Sequence, residues 1–471
     1  MTTICTGDKV VLPTSPTPQP ATIIISNASG KIVEIVPQRL SKDHFSSSSY
    51  RTPINFIDAQ SSLILPGLVD AHVHLNEPGR TDWEGFYTGT RAAASGGVTT
   101  VVDMPLNSIP PTTTVENFEI KKTTTKGQCF TDVAFWGGVI PGNEGDLKAL
   151  VDRGVKGFKC FLIESGVEEF PCVKEEDLHK AMKVLQDTDV PLLFHAELDV
   201  GDDHPHPQEE DSTLYSTFLN SRPQKLETDA IALITTLQKT YPSLRCHIVH
   251  LSASNALPLI RQARAAYPNN LTIETCFHYL CLSSLSIPNG HPEFKCCPPI
   301  REEWNRDLLW EALKDGTIDF VVSDHSPCVS ELKNLDTGDV MGAWGGISTL
   351  GLGLGLLWTE ARGEGEGQKR DVTIAQIVDW LCWKPAIHAG LGDRKGKLEV
   401  GFDGDLVIWD EEAEWEVREE ELRFKNRVSP YVTKRKRLRG RVRKTFVRGN
   451  LVFEFDGEGE GRFGEPVGEL L

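Results

Sequence analysis

Between residues 68 and about 350 the chain repeats one rhythm eight times, a short apolar run followed by a longer amphipathic or mixed stretch. The runs are GLVDAHVH, TTVVDM, VAFWGG, VKGFKCFL, PLLFHA, RCHIVHL, TIETCF and IDFVVSD. Runs this short and this apolar suit strands buried on both faces, and the stretches between them are long enough for crossover helices. YTGTRAAASGG reads as a helix closed by a glycine pair, and EEDLHKAMKVLQDTD as another. Eight such units over about 280 residues predict an α/β fold, a (β/α)8 barrel, whose functional groups gather at the C-terminal ends of its strands.

The flanks read differently. ATIIISNASGKIVEIVP and INFIDAQSSLILPG before the barrel, and GKLEVGFDGDLVIWD and RVRKTFVRGNLVFEF after it, are strand-and-turn text. The expected organisation is residues 1–66 as the N-terminal part of a small β-sandwich, 67–394 as the barrel, and 395–471 as the C-terminal part of the sandwich plus a tail. The tail FDGEGEGRFGEPVG is expected to be mobile. DVGDDHPHPQEEDS and EARGEGEGQKR are expected to be exposed excursions. His204 and His206, in the first of these, are read as solvated loop residues despite a spacing that could bind metal.

A net charge of -18 argues against nucleic acid or an anionic membrane as the main partner and says nothing positive about the substrate. No window of about 20 apolar residues is present, and the N-terminus lacks a basic region followed by an apolar core. The 11 cysteines are odd in number and contain no Cys-x-x-Cys pair, which suits free thiols in a reducing compartment. A cytoplasmic protein is expected, with the vicinal pair Cys296 and Cys297 serving as packing thiols.

Alternate residues of a strand point the same way, so His72 and His74 face one side together. Lys159 sits inside an apolar run, where a charged ammonium costs several kcal/mol unless it is paired or chemically changed. His195, His250 and Asp324 end three further runs. Six residues able to bind metal therefore lie at the ends of strands one, four, five, six and eight, which converge on one mouth of a barrel. Four imidazoles and a carboxylate suit zinc or a similar divalent ion. Lysine that has captured carbon dioxide becomes a carbamate, whose two oxygens can bridge two such ions. Two bridged ions would share an acidified hydroxide while one of them polarises a carbonyl.

At these residues the chain resembles the amidohydrolase superfamily, in particular its cyclic-amidase branch of hydantoinases, dihydroorotases and allantoinases. The resemblance runs from LILPGLVDAHVHLNEPGR to GFDGDLVIWD and VRGNLVF. NEPGRTDWEGFYTGTRAAASGGVTTVVDMPLNSIPPTT, GVKGFKCFLIESGVEEFP and GAWGGIS are most similar to the allantoinases. The resemblance implies that His72, His74 and Asp324 hold one metal ion, His195 and His250 a second, with Lys159 bridging as N6-carboxylysine. It further implies Asp324 as general acid/base, allantoin as substrate and allantoate as product, within purine-nitrogen breakdown, and a homotetramer. Asn76, Cys297 and Ser326 are expected ring contacts, and His278 and His325 are expected either to support the site from behind the ligands or to be structural.

Two positions depart from the family pattern: Cys297 stands where serine or asparagine is frequent, and Phe277 where proline is common. Dihydropyrimidinase-like or dihydroorotase-like activity is the competing enzymatic reading. Asn76 and the segment Trp83–Phe86 count against it. A structural assembly protein would be expected to have lost ligands, and all six are present.

Overall fold

The computed structural model describes residues 1–46, 53–201, 211–268, 270–365, 367–457 and 459–471. His204 and His206 lie outside the described residues. The eight apolar runs form β1 Leu68–Val73, β2 Val98–Asp103, β3 Asp132–Phe135, β4 Phe158–Phe161, β5 Leu192–His195, β6 Cys246–Ile248, β7 Leu271–Cys276 and β8 Phe320–Val322. All neighbouring pairs are parallel. Gly137–Gly138 continues beyond β3 and pairs with β4, and a parallel bridge from Val73 to His325 closes the ring. The glycines are needed at that seam: a Cβ at Gly137 would lie 2.8 Å from the Phe158 ring, and one at Gly138 2.4 Å from the Phe170 ring.

The stretches between strands supply the crossover helices. Phe86–Ser95 buries Phe86, Ala92, Ala93 and Ala94, and ends as its sequence suggests. Gly97 takes φ +83°, a left-handed conformation that glycine adopts without a Cβ penalty. Gly96 packs directly on Gly351, where an added Cβ would lie 2.3 Å from the Gly351 Cα. Glu175–Leu185 buries Leu178, Ala181, Met182 and Leu185, the i, i+3, i+4, i+7 stripe of a helix lying on a barrel.

Both chain ends build one mostly antiparallel nine-stranded sheet. The two ends meet where Leu63–Pro66 pairs antiparallel with Leu406–Trp409. One face buries Cys5, Val10, Ile23 and Ile25 against Leu406, Ile408 and Phe446, and the other buries Ile4 and Ile24 against Phe45. The tail corrects its expectation. Arg462–Phe463 adds an edge strand, Glu469 N donates to Asp132 Oδ1 at 2.8 Å, and Leu471 N donates to Val133 O at 2.9 Å. Its glycines serve contact rather than looseness at one point at least: a Cβ on Gly468 would lie 2.0 Å from Thr131 O.

A buried ionic cluster ties the sheet to the barrel. Lys395 Nζ lies 2.5 Å from Asp132 on β3, 2.9 Å from Asp403 and 2.7 Å from Asp405, with every partner almost fully buried. Arg448 makes a second ion pair to Asp132. Removing one partner leaves uncompensated buried charges, which is far costlier than never having buried them. Lys395→Met is therefore expected to lower the unfolding free energy by about 3–5 kcal/mol. Urea titration of both proteins checks this, and a change under about 1 kcal/mol would show that the cluster does not hold sheet to barrel.

Candidate metal centre

The ends of the barrel strands bring the six residues to one place. His72 lies within β1 with His74 just beyond it, Lys159 lies within β4, and His195 ends β5. His250 and Asp324 follow β6 and β8 by two residues. His72 Nε2 lies 3.2 Å and His74 Nε2 3.6 Å from Asp324 Oδ1. His195 Nδ1 lies 3.1 Å from His250 Nε2. Ligand atoms of His72, His250 and Asp324 all fall within 4.8 Å of one another. Phe161 pairs with His195 in the β4–β5 register and stacks on its ring at 4.5 Å, and the Lys159 ammonium sits 5.1 Å from the Phe161 ring centre.

Burial sets the electrostatics. It drives His72 and His250 well below the ordinary imidazole value, so both present neutral rings. It also lowers Lys159 to about 8, with Asp324 and Glu274 opposing. Burial alone would raise Asp324, but His72 and His74 outweigh it and hold the carboxylate below its usual range. His72 Nε2 and His250 Nδ1 are buried without a hydrogen-bond partner. Such orphaned nitrogens are costly in a protein interior unless something else satisfies them. Neutral imidazoles, an ionised carboxylate and an easily deprotonated lysine form a donor set that fits divalent cations.

The backbone is held at some cost. His250 has φ 40° and Asp324 φ 42°, left-handed conformations that cost a non-glycine residue about 1–3 kcal/mol each. Asp103 at the end of β2 accepts from Leu75 N at 2.9 Å and is neutralised by buried Lys121 at 2.6 Å, fixing the chain directly after His74.

Behind these six side chains lie residues that the sequence does not single out. Glu274 of β7 hydrogen-bonds His72 Nδ1 through Oε1 and sits 3.1 Å from His247 Nε2 through Oε2. Glu197 Oε2 lies 2.7 Å from His195 Nε2 and pairs with Arg222. Asn107 Nδ2 lies 3.4 Å from His74 Nδ1. Two of these leave a trace in the sequence: Glu274 is a lone carboxylate inside an apolar run, and Glu197 follows His195 at strand spacing.

A cavity of about 350 Å³ opens above the six residues, walled by Phe161, Arg222, Cys297, Ser326 and Trp344. Cys297 and Ser326 are thus where ring contacts were expected. Asn76 is not. It is buried beneath the loop after β1, donates to Pro327 O at 3.3 Å, and does not line the cavity. Asn107 does. Arg80 likewise builds the loop, donating to Asn107 O at 2.7 Å, pairing with Glu169 and lying 4.9 Å over the Trp83 ring. Phe277 faces away from the cavity against Gly353. His325 is anchored by Glu84 at 3.2 Å and accepts from Thr349 N. His278 is buried in a group with Cys276 and Asp324. All eleven cysteines are free; Cys296 is buried, and only its neighbour Cys297 reaches the cavity.

The profile of the amidohydrolase family matches residues 63–452. An allantoinase of Saccharomyces cerevisiae is 46% identical over 457 residues, which span 96% of this chain and 95% of the yeast protein. A protein of Aquarana catesbeiana called allantoinase, mitochondrial, is 56% identical over 75% of this chain and 70% of its own. Among solved structures, the L-hydantoinase (dihydropyrimidinase) of Arthrobacter aurescens superposes with a TM-score of 0.86 at 27% identity, covering 99% of each chain.

The cavity roof can be tested directly. A Cβ on Gly346 would lie 2.3 Å from the Ser326 carbonyl oxygen, whereas one on Gly345 meets only the Cys297 thiol at 3.0 Å. Gly346→Ala is expected to destabilise by about 1–3 kcal/mol, as overpacking against backbone does, and Gly345→Ala by less. Thermal unfolding of the two variants distinguishes them, and equal shifts would show that the roof is not tightly packed.

Proposed function

This chain belongs to the amidohydrolase family, and we propose that, as a cyclic amidohydrolase, it opens the hydantoin ring of allantoin to give allantoate. One observation carries the reading. Four imidazoles, a buried lysine and a carboxylate meet at one barrel mouth in a chain 46% identical, over nearly its whole length, to an allantoinase. His72, His74 and Asp324 would hold one divalent ion, His195 and His250 the other, with zinc the first candidate for such donors. Lys159, as its carbamate, would join the two. When bound, the ions would acidify a water molecule and polarise the scissile carbonyl.

The remaining work falls to the chain. Asp324, ionised and facing the cavity, would accept the proton of the attacking water and return it to the leaving ring nitrogen. Phe161 and Trp344 wall the cavity. Ser326, which lines the cavity, would contact the ring through its hydroxyl. Cys297 would act mainly through shape, since a thiol is a weak donor. Of the cavity's two other cations, Arg222 is paired with Glu197, and Lys295 donates to Met341 O. Free thiols support a reducing compartment such as the cytoplasm, and the family resemblance implies a homotetramer.

Metal-loaded protein should convert allantoin to allantoate and hold about two divalent ions per chain. Activity on dihydrouracil or unsubstituted hydantoin with none on allantoin would favour the dihydropyrimidinase reading instead. Lys159→Ala should lower kcat/KM at least about 100-fold, with partial rescue by short carboxylic acids. Undiminished activity in that variant would rule out the carbamate.

Carbamate formation needs the neutral amine, so a lowered lysine pKa brings it within reach at lower pH. With the value near 8, about half of Lys159 is neutral at pH 8 and about 3% at pH 6.5. At fixed dissolved carbon dioxide, metal-stripped protein should regain activity with zinc several-fold faster at pH 8 than at pH 6.5. A flat or inverted dependence would argue against this step.

A further inference from the structure

Two buried lysines hold the cavity roof by its backbone. Lys333, 3% exposed, ends the helical turn Ser330–Lys333 beyond β8. Its Nζ donates to Trp344 O at 3.0 Å and to Gly346 O. Lys295, 8% exposed, lies beyond β7 and donates from Nζ to Met341 O at 2.6 Å. The same two segments also take up amides of the roof: Trp344 N donates to Leu332 O at 2.8 Å, and Gly346 N to Lys295 O at 2.9 Å. We propose that Lys333 and Lys295 are positioning residues that fix residues 341–346 over the cavity, and that the roof so held makes the site prefer a hydantoin carrying a substituent to the bare ring. The preference rests on the function proposed above; the clamp itself does not.

The composition of the segment explains the clamp. Gly342, Gly345 and Gly346 have no side chains to pack, and glycine gives up more conformational freedom than any other residue when a loop is fixed. Peptide groups are what such a segment offers for anchoring. An ammonium suits that task, because three donors on a long flexible stem can reach separate carbonyls where a planar guanidinium would not. Burial pulls both lysines below their ordinary value, so charge is costly there, and its bonds go to carbonyl oxygens. An apolar side chain would fill the same space without that cost, so packing alone does not account for the two ammonium groups.

What the clamp places is Trp344. Its ring meets Trp83, from the loop after β1, edge-on with centroids 4.8 Å apart. Gly166, from the loop after β4, borders it on another side, where an added Cβ would lie 3.7 Å from the indole. Trp344 and Gly166 both line the cavity. The reacting bond must lie at the floor, beside the six candidate ligands, so a ring substituent occupies the space between floor and roof. Displacing Trp344 therefore disturbs a substituted ring more than a bare one.

Lys333→Met keeps most of the side chain's length and removes its donors. In metal-loaded protein it should lower kcat/KM for allantoin about 10–100-fold, mostly through KM, while changing that for unsubstituted hydantoin less than about threefold. Hydrogen exchange read by mass spectrometry should show the amides of residues 341–346 exchanging at least about tenfold faster in the variant. Equal losses on both compounds would overturn the inference, because general damage to the site lowers both rates together. Unchanged selectivity or unchanged exchange would overturn it as well. Where the variant does not fold, or hydantoin is turned over too slowly to compare, wild-type exchange decides. Slow exchange at Trp344 and Gly346 supports the clamp, and rates as fast as those of exposed loops overturn it. A wild type that acts on neither compound would instead defeat the proposed function, and the preference with it, while the exchange rates still judge the clamp.

Discussion

An ammonium group in the interior of a β-barrel is the constraint to which the rest of the centre responds. Lys159 is 1% exposed and emerges from an apolar strand whose neighbours are Phe158, Cys160 and Phe161. Leaving a full positive charge there is expensive, and the protein lowers the cost in two ways. Asp324 and Glu274 oppose the desolvation from two other strands, and the remaining penalty pulls the lysine toward neutrality near physiological pH. A neutral amine in a cavity lined by imidazoles is a nucleophile and a ligand precursor. The burial that makes Lys159 a liability for folding is what makes it available for chemistry.

The same trade recurs in the backbone. β6 and β8 are only three residues long, and each is followed within two residues by a left-handed candidate ligand, His250 or Asp324. A strand that continued regularly would carry those side chains past the mouth. Turning the chain through positive φ aims them across the barrel axis instead, at a cost that neighbouring hydrogen bonds must hold in place. Glu274 Oε1 accepts from His250 N, and Asp70 Oδ1 accepts from Ser323 N at 3.2 Å. Polar groups from facing strands thus fix the strained ends.

The sequence was most legible where periodicity and chemistry coincide. Short apolar runs ending in His or Asp locate both the strands and the residues at their ends, because parallel barrel strands must be buried and their ends must converge. It was least legible where a role depends on a partner far along the chain. Glu274 meets His72 across 202 positions, and nothing local in TIETCF announces that. Asn76 sits in the motif that best marks the family, yet that motif builds the loop rather than the cavity wall: Glu77 Oε2 accepts from Phe86 N at the start of a helix, and Arg80 braces Asn107. The tail misled for a related reason. It is expected to be mobile, whereas it adds an edge strand and Gly468 permits a backbone approach that no side chain would tolerate.

Contacts also run between the C-terminal segment and the barrel mouth. Lys425 N, in the segment between the last two long strands, donates to Glu84 at 3.1 Å, and Glu84 Oε2 lies 3.2 Å from His325 Nε2. Phe424 packs on the His325 ring with centroids 5.2 Å apart. His325 in turn accepts from His74 N through its carbonyl at 2.8 Å and forms the bridge to Val73 that closes the barrel. A chain of direct contacts therefore runs from the C-terminal segment through Glu84 and His325 to a residue of the metal centre. His325 is structural in a specific sense, since it converts the docking of the flanking segment into the register of β1. Phe424 and Lys425 thus reach His74 through direct contacts, although neither residue lines the cavity.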